Sequence, residues 1–243
     1  MIALFSDFGS QDVYVGQVKA SILRHAPEVP IVDLLHDAPS FAVLPAAHLL
    51  PALARQFAPE TVFFCVIDPG VGGAREGTVL RADGKWFVGP DNGLLSVVAA
   101  RASEVRHWRI AWRPDGVSPS FHGRDLFAPV CAWLALGQFP EDRLEVRGGL
   151  NVQFEAGDLA EIVYIDHYGN AMTGLRGNRL GADSRLRTGS RSVGYARVFS
   201  EVAPGQAFWY RNSIGLVEIA VNRDSAARLL GLAVGTGVRP RAD

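Results

Sequence analysis

The chain has 243 residues, of which 48% are hydrophobic and 20% are charged, and 24 basic residues face 25 acidic ones. This length supports one large domain, or one medium-sized domain together with a small one. A net charge of −1 excludes a global electrostatic attraction to nucleic acid or to an anionic membrane, so we expect neither as a partner.

The first part of the chain alternates apolar runs with helical patterns. Strands are predicted over residues 2–6, 30–35 and 61–67, and helices over 12–25 and 41–57 lie between them. Because these strands are apolar on both faces, the pattern favours an α/β fold, a mostly parallel sheet flanked by helices.

The next part of the chain indicates a hairpin and shorter helices. Residues 77–82 and 85–89 flank an Asp-Gly pair, which is a two-residue turn signal, and therefore predict a β-hairpin. Short helices are predicted over 92–100 and 126–136.

The pattern of the chain then changes from an α/β to an all-β type. Residues 137–157, which include Pro140, are rich in glycine and charge, and we predict a linker over 141–157 between an N-terminal domain, 1–140, and a C-terminal domain, 158–243. In the latter, short strands and turns favour a small antiparallel β-barrel or sandwich, with a helix over 225–230 and a last strand near 235–239.

The cysteines and the apolar runs indicate the cellular compartment in which the protein is expected. Cys65 and Cys131 lie within apolar runs, so we expect buried free thiols, which are typical of a reducing compartment. The apolar run at the N-terminus is too short for a signal peptide, and the stretch over 41–54 is interrupted by two prolines and a histidine. A soluble, cytoplasmic protein is the expectation.

Two acidic residues follow predicted strands, where open α/β sheets bind their ligands. Asp7 follows the first strand, and Asp68 follows the third strand ahead of the glycine-rich residues 69–73. A carboxylate there can accept hydrogen bonds from both hydroxyls of a ribose, although each Asp also fits a turn or a helix cap. Arg75 occupies the third-glycine position of a dinucleotide fingerprint and a hairpin follows, so no such site is predicted.

A third polar group lies before the helix predicted over 126–136. His122, Arg124 and Asp125 lie close together there, and both a structural and a functional role are open for them. The other histidines lack the spacing of zinc ligands, while His122 together with Asp68 and Asp125 stays a candidate for a metal site.

Polar residues also follow the strands predicted in the C-terminal domain. These residues are Asp166, Tyr168, Asn170, Asn212 and Ser213. An asparagine amide offers a donor and an acceptor together, which matches the edge of an adenine, but ordinary turn chemistry explains the same residues.

Six segments, in this order, resemble the S-adenosylmethionine (SAM) hydrolases, also called SAM hydroxide adenosyltransferases, which are relatives of the fluorinase and chlorinase enzymes. The segments are SDFGSQDVYVGQVK, IDPGVGGAR, GPDNG, FHGRDLFAP, IDHYGN and NSIGLVEIAVN. The resemblance covers nearly the whole chain. It implies an α/β N-terminal domain, a small C-terminal β-barrel and a homotrimer whose active site lies between the N-terminal domain of one subunit and the C-terminal domain of the next.

The resemblance also implies the reaction and its residues. Water attacks C5′ of the ribose of SAM, adenosine and methionine are released, and no cofactor or metal takes part. Asp68, Arg75 and His122 would handle the attacking water, and Asp7 would hold the ribose hydroxyls. The other implied substrate contacts are Tyr14 and Asp166 near the methionine ammonium, Ser213 at its carboxylate, Asn170 at the adenine, and Phe41, Tyr168, Tyr210 and the backbone around Val221 as walls.

Three other functions stay open at this point. The first is a halide-dependent adenosyltransferase, but halogenating relatives carry tyrosine in place of Asp68 and serine in place of Gly123. At about 4 Å and an effective dielectric constant near 20, an anionic Asp68 would repel a halide by about 4 kcal/mol. The others are a non-catalytic nucleoside or SAM-binding protein and a metal-dependent nucleoside hydrolase.

Overall fold

A computed structural model describes residues 1–241, which form two seven-stranded sheets with flanking helices. The contacts divide the chain into two units. The first unit consists of Met1–Leu50 and Gln56–Ala156, and the second consists of Pro51–Arg55 together with the chain from Gly157 onward. Each unit has its own buried apolar core.

The sheet of the first unit is mixed. Its strands are β1 (Ile2–Ser6), β2 (Ile31–Leu35), β3 (Val62–Val66), β4 (Gly77–Ala82), β5 (Lys85–Pro90), β6 (Val105–Ile110) and β7 (Leu144–Arg147), in the order β2-β1-β3-β5-β4-β6-β7. Strands β2, β1, β3 and β5 are parallel, and the pairs from β5 to β7 are antiparallel because the β4–β5 hairpin reverses the chain. The α/β class and the hairpin are confirmed.

The helices of the first unit cover this sheet. They are α1 (Val13–His25), α3 (Ser96–Arg101), α4 (Ala128–Ala135) and the first part of α2 (Val43–Ala54), whose residues from Pro51 onward belong to the second unit. A π-helical turn over Gly123–Phe127 precedes α4. Val18 and Ile22 on α1 are buried in the same core as Val130 and Leu134 on α4. Strands β1 and β3 are buried along their whole length, which explains why their sequences are apolar on both faces.

Two strands of the first sheet differ from the sequence pattern. Strand β6 (Val105–Ile110) is not predicted, because its apolar and charged residues do not alternate regularly. Strand β7 lies inside the predicted linker 141–157. Both strands lie at the antiparallel end of the sheet, and only Leu144 of the four β7 residues is buried. A short edge strand therefore carries charged residues that resemble those of a loop.

The second unit is an all-β structure that closes on itself. Its strands are β8 (Leu159–Ile165), β9 (Ala171–Arg176), β10 (Arg185–Thr188), β11 (Arg191–Tyr195), β12 (Ala207–Arg211), β13 (Leu216–Val221) and β14 (Arg239–Arg241), in the order β14-β10-β11-β12-β13-β9-β8. All pairs are antiparallel except β11 with β12. The N–H of Ile162 donates to Thr236 O at 2.9 Å, and that of Val238 donates to Ala160 O at 2.8 Å, so residues preceding β14 join the other edge of the sheet.

The remaining elements of the second unit are short. Helix α5 (Ala226–Leu230) matches its prediction, and the Ser225 hydroxyl caps it by accepting the N–H of Arg228. Two 3₁₀ turns cover Gly177–Arg179 and Phe199–Glu201. The last strand begins at Arg239 rather than near 235, because the preceding residues bond to β8.

Two further expectations concern the whole described chain. Cys65 and Cys131 are buried free thiols, as predicted. Within residues 1–241, no helix combines the length and the hydrophobicity that crossing a membrane requires.

Candidate active site

Three side chains from distant parts of the sequence meet in the first unit. The Arg75 guanidinium donates through Nε to Asp68 Oδ1 at 3.0 Å and through Nη2 to Asp68 Oδ2. The same Nη2 lies 2.9 Å from Nδ1 of His122. We call these three residues the Asp–Arg–His cluster. All three side chains are largely buried.

The cluster determines the tautomer of the histidine. A guanidinium can only donate hydrogen bonds, so Nδ1 of His122 accepts from Arg75, and the neutral imidazole carries its proton on Nε2. Burial, and after it the positive charge of Arg75, lowers the pKa of His122 below its ordinary value of 6.5. The imidazole is therefore neutral near pH 7 and donates through Nε2.

The backbone around the cluster places it at the carboxyl end of β3. The side-chain amide of Asn92 donates to Ile67 O at 2.8 Å, which holds the residue directly before Asp68. Gly72 has a φ of +80°, and a Cβ there would overlap the carbonyl of Pro119, so the loops that carry Arg75 and His122 approach closely.

A cavity of about 380 Å³ in the first unit is bordered by this cluster. Asp68 and His122 line it, and Arg75 is not among its lining residues. The other predicted site residues that line it are Asp7, Tyr14 and Phe41. Five of the six site residues predicted in this unit therefore share one cavity.

Asp7 and Phe41 form a second arrangement in this cavity. The backbone N–H of Phe41 donates to Asp7 Oδ2 at 2.9 Å. Burial raises the pKa of Asp7, and the Phe41 hydrogen bond opposes that rise. Phe41 has a φ of +63°, which for a residue with a side chain costs about 1–3 kcal/mol, and its ring is 74% exposed. Backbone strain combined with an exposed aromatic ring is typical of a ligand-contacting residue.

Predicted site residues of the second unit line a separate cavity of about 690 Å³. These are Asp166, Tyr168, Asn170, Tyr210 and Val221. Ser213 is not among the lining residues and is exposed in the turn between β12 and β13.

Asp166 organises the turn that borders the second cavity. Its Oδ1 accepts the backbone N–H groups of Tyr168 at 2.9 Å and Asn170 at 2.8 Å. Its Oδ2 accepts the Asn170 side-chain amide at 2.9 Å. The amide nitrogen of Asn170 is therefore oriented by Asp166.

The metal site considered from the sequence does not form. Asp125 instead pairs with Arg124 at 2.6 Å and accepts the N–H of Ser118 at 2.9 Å. Among residues 1–241, no three His, Cys, Asp or Glu side chains are arranged to hold a metal ion.

Comparison with known proteins assigns the chain to a family. The SAM hydroxide adenosyltransferase N-terminal domain matches residues 2–144, and the C-terminal domain of the same family matches residues 160–239. The chain belongs to the SAM hydroxide adenosyltransferase family. This confirms the resemblance found in the six sequence segments.

Relatives within this family cover the chain almost completely. An (R)-S-adenosyl-L-methionine hydrolase of Thermus thermophilus is 38% identical and covers 98% of each chain. A Salinispora tropica protein of the same name is 36% identical over 99% of this chain and 97% of the relative. The crystal structure of an uncharacterized protein from Thermotoga maritima matches with a TM-score of 0.90 at 31% identity, over 99% of each chain.

One buried acid of this family member escaped the sequence analysis. Glu218 on β13 is 2% exposed, and its carboxyl accepts the Tyr210 hydroxyl at 2.7 Å and the Asn212 amide at 2.7 Å. Burial raises the pKa of Glu218, and both hydrogen bonds oppose that rise. The signal was a single charged residue inside the apolar run LVEIAV, because a buried carboxyl needs polar partners.

Proposed function

We propose that this chain hydrolyses SAM to adenosine and methionine, with a water molecule attacking C5′ of the ribose. The observation that carries the proposal is the Asp–Arg–His cluster, two members of which line a cavity that also presents Asp7. Membership of the SAM hydroxide adenosyltransferase family, with relatives named SAM hydrolases, supports the same reaction.

The leaving group needs no help from an acid. The C5′–S bond of the sulfonium breaks with its electron pair on sulfur, so methionine departs as a neutral thioether while the water oxygen bonds to C5′. The protein has to place the water behind C5′, opposite sulfur. Holding reactants in such geometry supplies about 7–11 kcal/mol in well-oriented systems.

The hydrogen bonds of the cluster favour Asp68 as the proton acceptor. Nδ1 of His122 already accepts from Arg75, and Nε2 carries a proton, so the neutral imidazole is a donor toward the water. The carboxylate of Asp68 lines the cavity and keeps lone pairs beyond those that Arg75 uses. In this assignment His122 orients the water, Asp68 receives the proton of the water, and Arg75 holds the side chains of Asp68 and His122 in place.

The substrate contacts divide between the two cavities. We propose that Asp7 binds the ribose hydroxyls and that Tyr14 and Phe41 pack along the substrate. In the second cavity, Asn170 would read the adenine, Asp166 would meet the methionine ammonium, and Tyr168, Tyr210 and Val221 would form walls. Ser213 would reach the carboxylate from its exposed turn.

The halide-dependent alternative is disfavoured at two positions. The anionic Asp68 borders the cavity where a halide would enter. A Cβ at Gly123 would lie 3.1 Å from Cζ of Phe8, so the serine of halogenating relatives would be crowded here.

Oxygen-18 water tests the reaction directly. The protein is incubated with SAM in labelled water, with and without chloride, and the products are separated and weighed by mass spectrometry. We expect adenosine with one label at its 5′-oxygen in both cases, and no change on adding a chelator. A 5′-chloro nucleoside, unlabelled adenosine or loss of activity with the chelator would contradict the proposal.

Substitutions in the cluster test the residue roles. Asp68→Asn and His122→Ala should each lower kcat by about 10²–10⁴-fold, since proton transfer and water orientation contribute on that scale, while SAM still binds. Asp91→Asn is the control, because Asp91 is a buried carboxylate bonded to the Asn151 N–H and does not line the cavity. Unchanged turnover in both cluster variants would refute these roles.

We also propose a cytoplasmic homotrimer without a bound cofactor. The substrate contacts fall into two cavities, each lined by one unit of the chain, which supports a site assembled from two subunits. The buried free thiols of Cys65 and Cys131 support a reducing compartment.

A further inference from the structure

A hydrogen-bond network near the carboxyl ends of β1 and β2 links the buried side chains of Ser6 and His36 to the exposed Asp33, and the proposed reaction does not use it. Oγ of Ser6 lies 2.8 Å from Nδ1 of His36, and Nε2 of His36 lies 2.9 Å from Oδ1 of Asp33. The other oxygen of Asp33 accepts Lys19 Nζ at 2.6 Å. Ser6 is fully buried and His36 is 7% exposed, so neither can meet a substrate.

The chemistry of the groups gives the direction of each bond. Burial raises the pKa of Asp33, but the hydrogen bonds from Lys19 and His36 outweigh burial and lower it, so Asp33 is a carboxylate that only accepts. His36 therefore donates through Nε2 to Asp33, and Oγ of Ser6 is the partner of its Nδ1. Ser6 and His36, the buried members of the network, each have a hydrogen-bond partner, as a rigid network requires.

The network joins the two backbone segments that present the substrate-binding residues. Ser6 ends β1 directly before Asp7, and His36 follows β2, the parallel neighbour of β1. Two backbone bonds reinforce the junction: Gly9 N–H donates to His36 O at 2.8 Å, and Ala38 N–H donates to Ser6 O at 3.2 Å.

The second of these segments leads to the strained residue Phe41. Its left-handed backbone conformation persists only where the surroundings hold it, and its N–H closes a loop back onto Asp7. The distance between the end of β1 and the end of β2 therefore determines how the Asp7 carboxylate and the Phe41 ring face the cavity.

We propose that Ser6, His36 and Asp33 are positioning residues that hold Asp7 and Phe41 in the geometry that binds the nucleoside part of the substrate. This inference rests on the proposed function for the identity of that substrate. The network acts on binding and not on the attacking water, because its contacts lead to Asp7 and Phe41 and not to the Asp–Arg–His cluster.

Ser6→Ala and His36→Asn test this role by steady-state kinetics with SAM. Ser6→Ala removes the link to His36, and His36→Asn removes the ring that makes both links. For each variant we expect KM to rise about tenfold with kcat nearly unchanged. Thr61→Val is the matched control: Thr61 is buried in the same unit, its hydroxyl donates to Ala58 O at 2.8 Å, and it precedes β3 at the opposite end from Asp68. It should lose comparable thermal stability without a change in KM.

A double-mutant cycle with Asp7→Ala gives the deciding readout. If Ser6 acts through Asp7, Ser6→Ala raises KM in the native background and adds little when Asp7 is already absent. The proposal would be overturned if the effects of Ser6→Ala and Asp7→Ala on KM were additive, or if KM did not change in Ser6→Ala. It would also be overturned if Ser6→Ala lowered kcat only in proportion to its loss of stability, as in Thr61→Val. A wild-type protein that does not hydrolyse SAM would refute the proposed function but not the positioning role. Adenosine affinity, measured by calorimetry, would then replace KM as the readout for the variants. Absence of adenosine binding to the wild-type protein would overturn both proposals.

Discussion

Arg75 is the residue on which the candidate chemistry depends, because one guanidinium contacts both other members of the cluster. It donates two charge-assisted hydrogen bonds to the Asp68 carboxylate, and it occupies Nδ1 of His122. Its positive charge, together with the larger effect of burial, lowers the pKa of the His122 imidazole. The same side chain thereby holds Asp68, the proposed proton acceptor, and leaves His122 as a hydrogen-bond donor through Nε2.

The pKa of His122 provides a prediction at this scale. In the wild-type protein, an NMR titration should place it below 6.5, because burial and then Arg75 lower it. Arg75→Gln removes the charge and leaves most of the burial, so the pKa should rise. The resonance is assigned with His122→Asn, and an unchanged pKa in Arg75→Gln would show that the arginine charge does not act on the ring.

The sign of the linked stability change follows from the same shift. The unfolded chain binds a proton at His122 near its ordinary pKa of 6.5, whereas the folded chain binds it only at a lower pH. As the pH falls through the interval between the two values, the unfolded state holds more protons, and the free energy of unfolding decreases. Above pH 6.5, His122 is neutral in both states and no longer lowers the free energy of unfolding.

Phe41 provides a second prediction, which separates backbone strain from side-chain contact. Phe41→Ala and Phe41→Gly both remove the exposed ring, and both should raise KM. At a φ of +63°, glycine is unstrained and alanine is not, so we expect Phe41→Gly to be about 0.5–1 kcal/mol more stable than Phe41→Ala by chemical denaturation. At a residue with an ordinary negative φ, the alanine variant would be the more stable of the two. A more stable Phe41→Ala would therefore show that the backbone at residue 41 is not strained.

At the scale of elements, the site depends on where strands end. Strands β1 and β3 are parallel neighbours, so Asp7 and Asp68, which follow them, lie at one edge of the sheet. This part of the site could be predicted from the apolar runs and the acids that follow them. The partnership of Arg75 with His122 could not, because no spacing rule relates a loop after β3 to a loop before α4, and only the family resemblance connected them.

The fold shows the same division. The buried strands β1 and β3, helix α1 and the Asp-Gly hairpin have strong local signals and were predicted. Strand β7 and the closure of the barrel by residues before β14 were not, because each depends on pairing with a distant partner. Glu218 was missed for the same reason: its partners Tyr210 and Asn212 lie on the neighbouring strand and turn.

The glycine-rich loop after β3 gives a prediction for an element. Gly72→Ala would push the loop away from Pro119 and separate Arg75 from His122, so kcat should fall about 10²-fold, as expected for a displacement near 1 Å. Gly70→Ala is the control in the same loop, since its added Cβ would meet only Cγ of Arg75 at an ordinary 3.8 Å. Equal activity of the two variants would show that the close approach at Gly72 has no role.

At the scale of the whole molecule, the division of the proposed substrate contacts between two units requires explanation. The first cavity presents Asp7 and two members of the Asp–Arg–His cluster, Asp68 and His122, and the second presents Asn170 and Asp166. Neither unit's cavity alone carries all the proposed SAM contacts. The proposed homotrimer accounts for this division if each site takes its two cavities from different subunits.

Complementation in mixed oligomers tests that arrangement. His122→Ala inactivates the first cavity and leaves the Arg75–Asp68 pair in place, and Asn170→Ala weakens the second. Co-expressed with different tags and purified through both, a cyclic trimer of these chains contains one site with two intact cavities, so about one third of wild-type activity should return. If each site belonged to a single chain, every site in the mixture would be defective and no activity would return. Light scattering must show the mass of three chains, and a monomer would contradict the proposal before any assay.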